Sequence, residues 1–261
     1  MASNAEARGF AGFRDLVIAL ASYSRAVSIF FMPILRNSVY FFAALAVFAI
    51  AAFWPSYLSR ISAVTEGHVH AHGAVMASWL AMLIAQAFLI RSNRRPMHRL
   101  LGKASYVLAP LVVLSTLSLA HMRLAEAGQA PSVDLLYFLY VQFSLLGLFL
   151  LCYSLATYHR KSPQVHARYM ACTALTLIDP IFARIDYAWF GIDFPLAQML
   201  TYGMIYSFLV GLAIWDWKHR RPAVFLRMLP IFVIVQLPTF FVYKLPAWQT
   251  FAVWYGSLPL L

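Results

Sequence analysis

Apolar residues run along this chain in long blocks, and polar residues are confined to the gaps between them. Seven blocks approach the roughly 20 mostly apolar residues that a membrane-crossing helix needs. They are Val39–Tyr57, His72–Ile90, Leu101–Ala120, Leu135–Tyr158, Tyr169–Phe190, Leu196–Trp217 and Phe225–Tyr243, each bounded by Pro, Gly or charge. Strands of a membrane β-barrel would be shorter and would alternate apolar with polar residues. The pattern therefore predicts an all-α fold, a bundle of seven transmembrane helices. Two flanking segments differ. Phe10–Leu35 is apolar but carries Arg14 and Arg25 on one helical face. It reads as an amphipathic helix lying on the membrane surface, because a spanning helix would hold Arg25 at mid-bilayer at high cost. After Lys244 the chain is rich in aromatics (Trp248, Phe251, Trp254, Tyr255), as suits a membrane interface. The expected organisation is a tail and interfacial helix over 1–36, a seven-helix membrane domain over 37–243, and an outer interfacial tail over 244–261.

The basic residues give this bundle an orientation. Arg8, Arg14, Arg25 and Arg36 precede the first block, and Arg91, Arg94, Arg95, Arg99 and Lys103 follow the second. Arg160, Lys161 and Arg168 follow the fourth, and Lys218, Arg220, Arg221 and Arg227 follow the sixth. Arg60, Arg123, Arg184 and Lys244 remain for the other side, a split of 16 to 4. Cytoplasmic loops carry the excess of Lys and Arg, so the N-terminus is expected in the cytoplasm and the C-terminus outside, in a bacterial inner membrane. An even number of spans would break the asymmetry.

Composition agrees. Hydrophobic residues make up 62% and charged residues 11%, against roughly a quarter charged in soluble domains; soluble, disordered and fibrous classes are excluded. The net charge of +11 is explained by loop asymmetry, so no nucleic-acid partner is expected; the bilayer and other membrane subunits are. Cys152 and Cys172 lie inside apolar blocks and read as buried thiols. Met1–Gly9 is polar, and no cleavable signal peptide is expected.

Polar groups inside a bilayer are costly and are functional candidates by default. His68 and His72 share a helical face, and the 3.6-residue period carries the stripe on to Trp79 and Gln86, predicting that it faces the bundle interior; His70 points elsewhere. His166, Met170, Thr173 and Arg184 form a second stripe on the fifth block, and Tyr140, Ser144, Gly147, Ser154 and Tyr158 a weaker one on the fourth. Asp179 needs a partner, with Arg184 or a histidine of the second block expected. By depth the histidines form two groups. His68, His70, His72 and His121 lie at the outer face with Glu66, Asp179 and Asp186. His98, His159, His166 and His219 lie at the inner face with Asp216.

The outer group suggests a metal site, with His68, His72, His121 and Asp179 as ligands; imidazole suits Zn and Cu, and zinc with an open position activates water. The inner group suggests haem b or a divalent metal, with His98 and His166, at matching depth, as cofactor ligands alongside Asp216 and Gln86. Those two rings are expected as a neutral pair bridged by a ligand, a water or Asp216. Three functions remain open: a redox-active metal- or haem-binding membrane protein; a zinc-dependent membrane hydrolase using the outer cluster, with Asp179 or Glu66 as base; and a non-catalytic transporter, sensor or assembly subunit.

His72-Gly73, Trp79, Gln86 and Met97-His98-Arg99-Leu-Leu-Gly102, followed by His166-Ala-Arg168-Tyr-Met170, Pro180, Arg184 and Asp216, resemble a family of uncharacterised bacterial multi-spanning membrane proteins. The resemblance covers roughly His68 to Arg221 and supports a membrane bundle with these residues as its site. More distantly, the histidines at helix ends resemble the ascorbate-reducible transmembrane cytochromes b, which implies a haem near each face. The fourth block has no outer histidine, so this sequence departs from that pattern at the outer haem.

Overall fold

The computed structural model describes residues 37–260, and every regular element among them is helical. The surface helix expected over Phe10–Leu35 lies outside the described residues. Nine α-helices follow one another: α1 Ser38–Phe53, α2 Gly67–Arg91, α3 Arg95–Ala127, α4 Val133–Tyr158, α5 Pro163–Leu175, α6 Ile178–Phe190, α7 Leu196–Lys218, α8 Val224–Gln236 and α9 Pro246–Gly256. Short 3₁₀ turns join α1 to α2 and α8 to α9. Five helical segments are long and apolar enough to cross a membrane: α2, α3, α4, α7, and α8 continued through its 3₁₀ turns to Lys244. The chain is in this respect a multi-pass membrane protein.

The remaining apolar blocks are helical but shorter. α1 has 16 residues. The fifth block is split into α5 and α6, of 13 residues each, at Thr176 and Leu177. Pro180 explains the split, because it has no N–H to donate to the Thr176 carbonyl and its ring crowds that turn. Leu177 N–H instead closes a tighter turn on the Ala174 carbonyl, and the Thr176 hydroxyl donates to Thr173.

Local sequence sets the other boundaries. Proline occupies the first turn of α3, α5 and α9, where its missing N–H has no helical partner to lose. Ser132 caps α4 by accepting from Leu135 N–H. Gly191 ends α6 in the left-handed region at φ 64°, which costs glycine nothing.

The connections α2–α3, α4–α5 and α7–α8 carry Arg94, Arg160, Lys161, Arg220 and Arg221 and form the basic end. The main apolar core draws buried residues from α1 through α8, with Trp79, Phe225 and Phe232 among its most buried side chains. A second, smaller core closes the opposite end, where α9 packs on α3 and α4. α3 has 33 residues and is therefore about 50 Å long, well beyond the roughly 30 Å of a bilayer core. Its far stretch supports α9: Tyr255 donates to the Leu117 carbonyl and Ala252 is fully buried. The segment expected as an outer interfacial tail thus contains a helix packed at the bundle's far end.

Candidate functional site

At the basic end, α3 and α5 bring His98 and His166 together. Their ring centroids are 6.4 Å apart and the rings stand at 84°. His166 Nδ1 lies 2.8 Å from the Ala156 carbonyl of α4. A carbonyl only accepts, so Nδ1 carries the proton and a neutral His166 offers the lone pair of Nε2. The His98 ring stands beside the Gln86 backbone carbonyl, and its Nδ1 is buried without a hydrogen bond. Gln86 Oε1 is also buried and unpartnered. The carboxamide rests against Gly102, where a Cβ would meet Gln86 Nε2 at 3.4 Å. Gly102 lies one turn beyond His98, so Gln86, His98 and His166 occupy one neighbourhood between α2, α3 and α5. Its unsatisfied atoms are acceptors, and buried acceptors without partners are costly. A metal ion or a donor-bearing ligand would satisfy them.

Asp216 does not belong to this group. Its carboxylate takes two 2.6 Å hydrogen bonds from Arg168, to Nε and Nη2, and both side chains are almost wholly buried. Arg168 Nη1 also donates to the Gln164 carbonyl. The expected Asp216 bridge between the two imidazoles is therefore replaced by a fork-to-fork ion pair, the geometry in which guanidinium and carboxylate bind most strongly. Arg168, read from sequence as a loop cation beside His166, is drawn into the bundle by that pair. Cys152 and Cys172 are free, buried and in contact beside it. The other two basic-end histidines stand apart: His159 stacks on Tyr169 and His219 on Trp215.

Above the pair, Trp79 is fully buried, as its stripe predicts, with its edge against the rings of Phe149 and Tyr153. Tyr153 hydroxyl pairs with Ser105 at 2.9 Å. The stripe expected on α4 divides: Tyr140 donates to the Val235 carbonyl and Ser144 is buried, but Gly147, Ser154 and Tyr158 are exposed.

The opposite end tells a different story. His72 Nδ1 lies 3.3 Å from Ser115 Oγ on α3. His70, expected to point away, is held on both sides, by the Tyr57 hydroxyl at 2.8 Å and the Val64 carbonyl at 2.9 Å. His121 is buried against α9, with Nε2 2.8 Å from the Leu258 carbonyl and its ring beside Tyr255. Asp179 is bonded by Gln198 Nε2 at 2.9 Å, and Gln198 Oε1 accepts from Tyr137. Arg184, expected as its partner, donates to the Pro180 carbonyl and lies over the Phe53 ring. Glu66 accepts from the Thr65 N–H. Among the described residues no three His, Cys, Asp or Glu side chains are placed to hold a metal ion. The four outer ligands expected from sequence, His68, His72, His121 and Asp179, are accordingly not gathered into one centre: each of the last three is turned to a different neighbour, on α3, α9 and α7.

Sequence reasoning passed over Gln198, Tyr202 and Tyr206. They recur every four residues on α7, the same helical-face signal that marked α2. No protein-family model matches the chain, and neither a curated protein nor a solved structure matches it.

Proposed function

We infer that the chain is a seven-span protein of the bacterial inner membrane, with its N-terminus in the cytoplasm, that binds a metal centre between His98 and His166. α1 and the broken pair α5–α6 supply the sixth and seventh spans, and the basic end is the cytoplasmic face. The observation that carries the metal reading is the approach of two imidazoles from different helices, each with a nitrogen left unbonded. Neutral imidazole is the form that ligates metal, and the Ala156 carbonyl fixes the tautomer of His166, as partner carbonyls do for metal-bound histidines. Two imidazoles at this separation fit one metal atom, whether a haem iron or a bare Zn or Cu ion. The opposite end differs: His70 has both ring nitrogens bonded, and the bare nitrogens of His72 and His121 belong to rings turned to different partners, Ser115 and Leu258. A haem here would supply one-electron chemistry, consistent with the resemblance to transmembrane cytochromes b. The protein's own residues hold the imidazoles apart and orient them, with Gln86 presenting its carboxamide beside them.

The visible spectrum and metal content of the purified protein test this. A haem Soret band, or stoichiometric zinc or copper without one, is expected in the wild type and is lost in His98→Leu and His166→Leu. A colourless, metal-free protein overturns the reading. Reporter fusions test the orientation: Arg94 and Lys161 report cytoplasmic, Ser132 and Asp193 external, and an external signal at Arg94 reverses the arrangement.

A further inference from the structure

Asp179 opens α6 directly after the helix break, and it is 1% exposed. A carboxylate in such a place needs a cation or several donors, because a bare charge in an apolar interior is among the costliest arrangements a membrane protein can hold. The surroundings supply little. From α7, Gln198 donates one hydrogen bond, and the Tyr202 hydroxyl is paired with that of Thr239 at 2.7 Å, with Tyr206 beside it. From α4, Tyr137 reaches Gln198 and not the carboxyl. Arg184 of α6 itself is directed to Pro180 and Phe53, outside ion-pair distance. Among the described residues, Arg168 of α5 is engaged with Asp216, Lys244 beyond α8 lies over the Tyr243 ring, His72 of α2 meets Ser115, and Arg123 of α3 acts on Arg184 and not on the carboxyl. The Tyr40 of α1 stands beside Arg91 at the basic end.

A second observation points the same way. Gln236, at the end of α8, is fully buried, and neither atom of its amide has a partner. It precedes Thr239 by three residues and so shares its face. That face meets Tyr202, which lies one turn along α7 from Gln198. An unpartnered amide able both to donate and to accept thus stands at the far end of the polar run Thr239, Tyr202 and Gln198 that leads to Asp179. Broken membrane helices commonly place ion sites at the break.

We propose that Asp179 is a proton-binding site, carried as the neutral acid in this arrangement, and that Gln236 holds the water through which its proton exchanges. On release the Asp179 O–H bond breaks, the proton passes to that water, and the carboxylate keeps the Gln198 N–H. Uptake is the reverse, and no electron moves. The proposal does not rest on the His98–His166 centre.

Infrared spectroscopy of the full chain in lipid nanodiscs at neutral pH tests it. The expected result is the C=O stretch of a protonated carboxylic acid that moves to lower frequency in D₂O, disappears in Asp179→Asn and persists in Asp186→Asn. Asparagine keeps the size of the side chain and can still accept from Gln198. Gln198→Leu should keep the band but raise its frequency, since the carbonyl loses its donor. Gln236→Leu should keep the band and slow its response to D₂O at least tenfold, the scale of losing one buried hydrogen-bonding group. Absence of the band, its survival in Asp179→Asn, or an unmoved frequency in Gln198→Leu overturns the site. Wild-type exchange in Gln236→Leu overturns the water route.

Discussion

The two ends of the bundle carry four histidines each, but they engage them differently. At the opposite end His70 has both ring nitrogens bonded, to Tyr57 and Val64, while His72 and His121 each have one bonded nitrogen, to Ser115 and Leu258. These rings close connections: the α1–α2 turn, the α2–α3 contact and the docking of α9. At the basic end His98 and His166 face each other, and the polar atoms left over there are acceptors. The number of histidines therefore says little about chemistry, and whether two rings are brought face to face says more: His121 also keeps a bare, buried Nδ1, but its ring stands beside Tyr255. The His-x-His-x-His run of α2 is the denser motif, yet it produces clasps. The isolated histidines of α3 and α5 are the ones brought face to face.

The sharpest break of this comparison is in bound metal. His98→Leu or His166→Leu should lower metal or haem affinity by more than about 100-fold, beyond the 10–100-fold typical when only a residue supporting a ligand is changed. His72→Leu and His121→Leu should leave it within a few-fold. Equal losses at both ends, measured by titration of the metal-free protein, would erase the distinction.

Next in size is the ion pair that takes Asp216 away from the histidines. Arg168→Met leaves a buried carboxylate without its partner and should cost about 3–5 kcal/mol, whereas the double change Arg168→Met with Asp216→Leu should recover most of that loss. Denaturant unfolding in detergent reads both. A single variant no worse than the double would mean that the two charges do not depend on each other.

The helices, and five of the expected spans, were legible, because apolar blocks and proline or glycine boundaries act locally. Every block but the third, which lies inside the longer α3, begins or ends within about one residue of a helix, and the break at Pro180 follows from one missing N–H. Gln86, His98 and His166 were legible as a group because helical phase and loop position put them at one level. Pairings across the bundle were not. Arg168 and Asp216 are 48 residues apart, and nothing local states that they meet. The α4 stripe failed for a physical reason. Serine can satisfy its hydroxyl on its own helix's carbonyls, as Ser144 does on Val141, so a serine does not oblige its face to turn inward. Close approach of α4 and α5 is instead made by the small side chains Cys152, Ala156 and Cys172, all fully buried.

The docking of α9 offers a smaller test at the opposite end. Gly256 lies against α3 so closely that a Cβ would stand 2.9 Å from the Leu124 backbone. Gly256→Ala should cost about 1–3 kcal/mol, the range for overpacking. It should also expose His121, whose bond to Leu258 holds the same contact. Faster deuterium exchange over 246–258, with metal content unchanged, is the expected signature. Loss of metal would show that the two ends are coupled.

The smallest effect concerns His70. Tyr57→Phe removes one of its two partners and keeps the ring contact at 5.6 Å. It also leaves the aromatic surface that Gly73 approaches, where a Cβ would meet the Tyr57 hydroxyl and ring edge at 3.4–3.6 Å. Hydrogen bonds between membrane helices average about 0.6 kcal/mol and reach about 1.7, since the unfolded chain also finds partners. The loss should fall in that range, because His70 keeps the Val64 carbonyl through its other nitrogen. Bound metal should not change. A loss several times larger would show that the α1–α2 turn depends on this hydroxyl for its position. A change in bound metal would make His70 part of a site, and the contrast between clasp and site would fail at its clearest example.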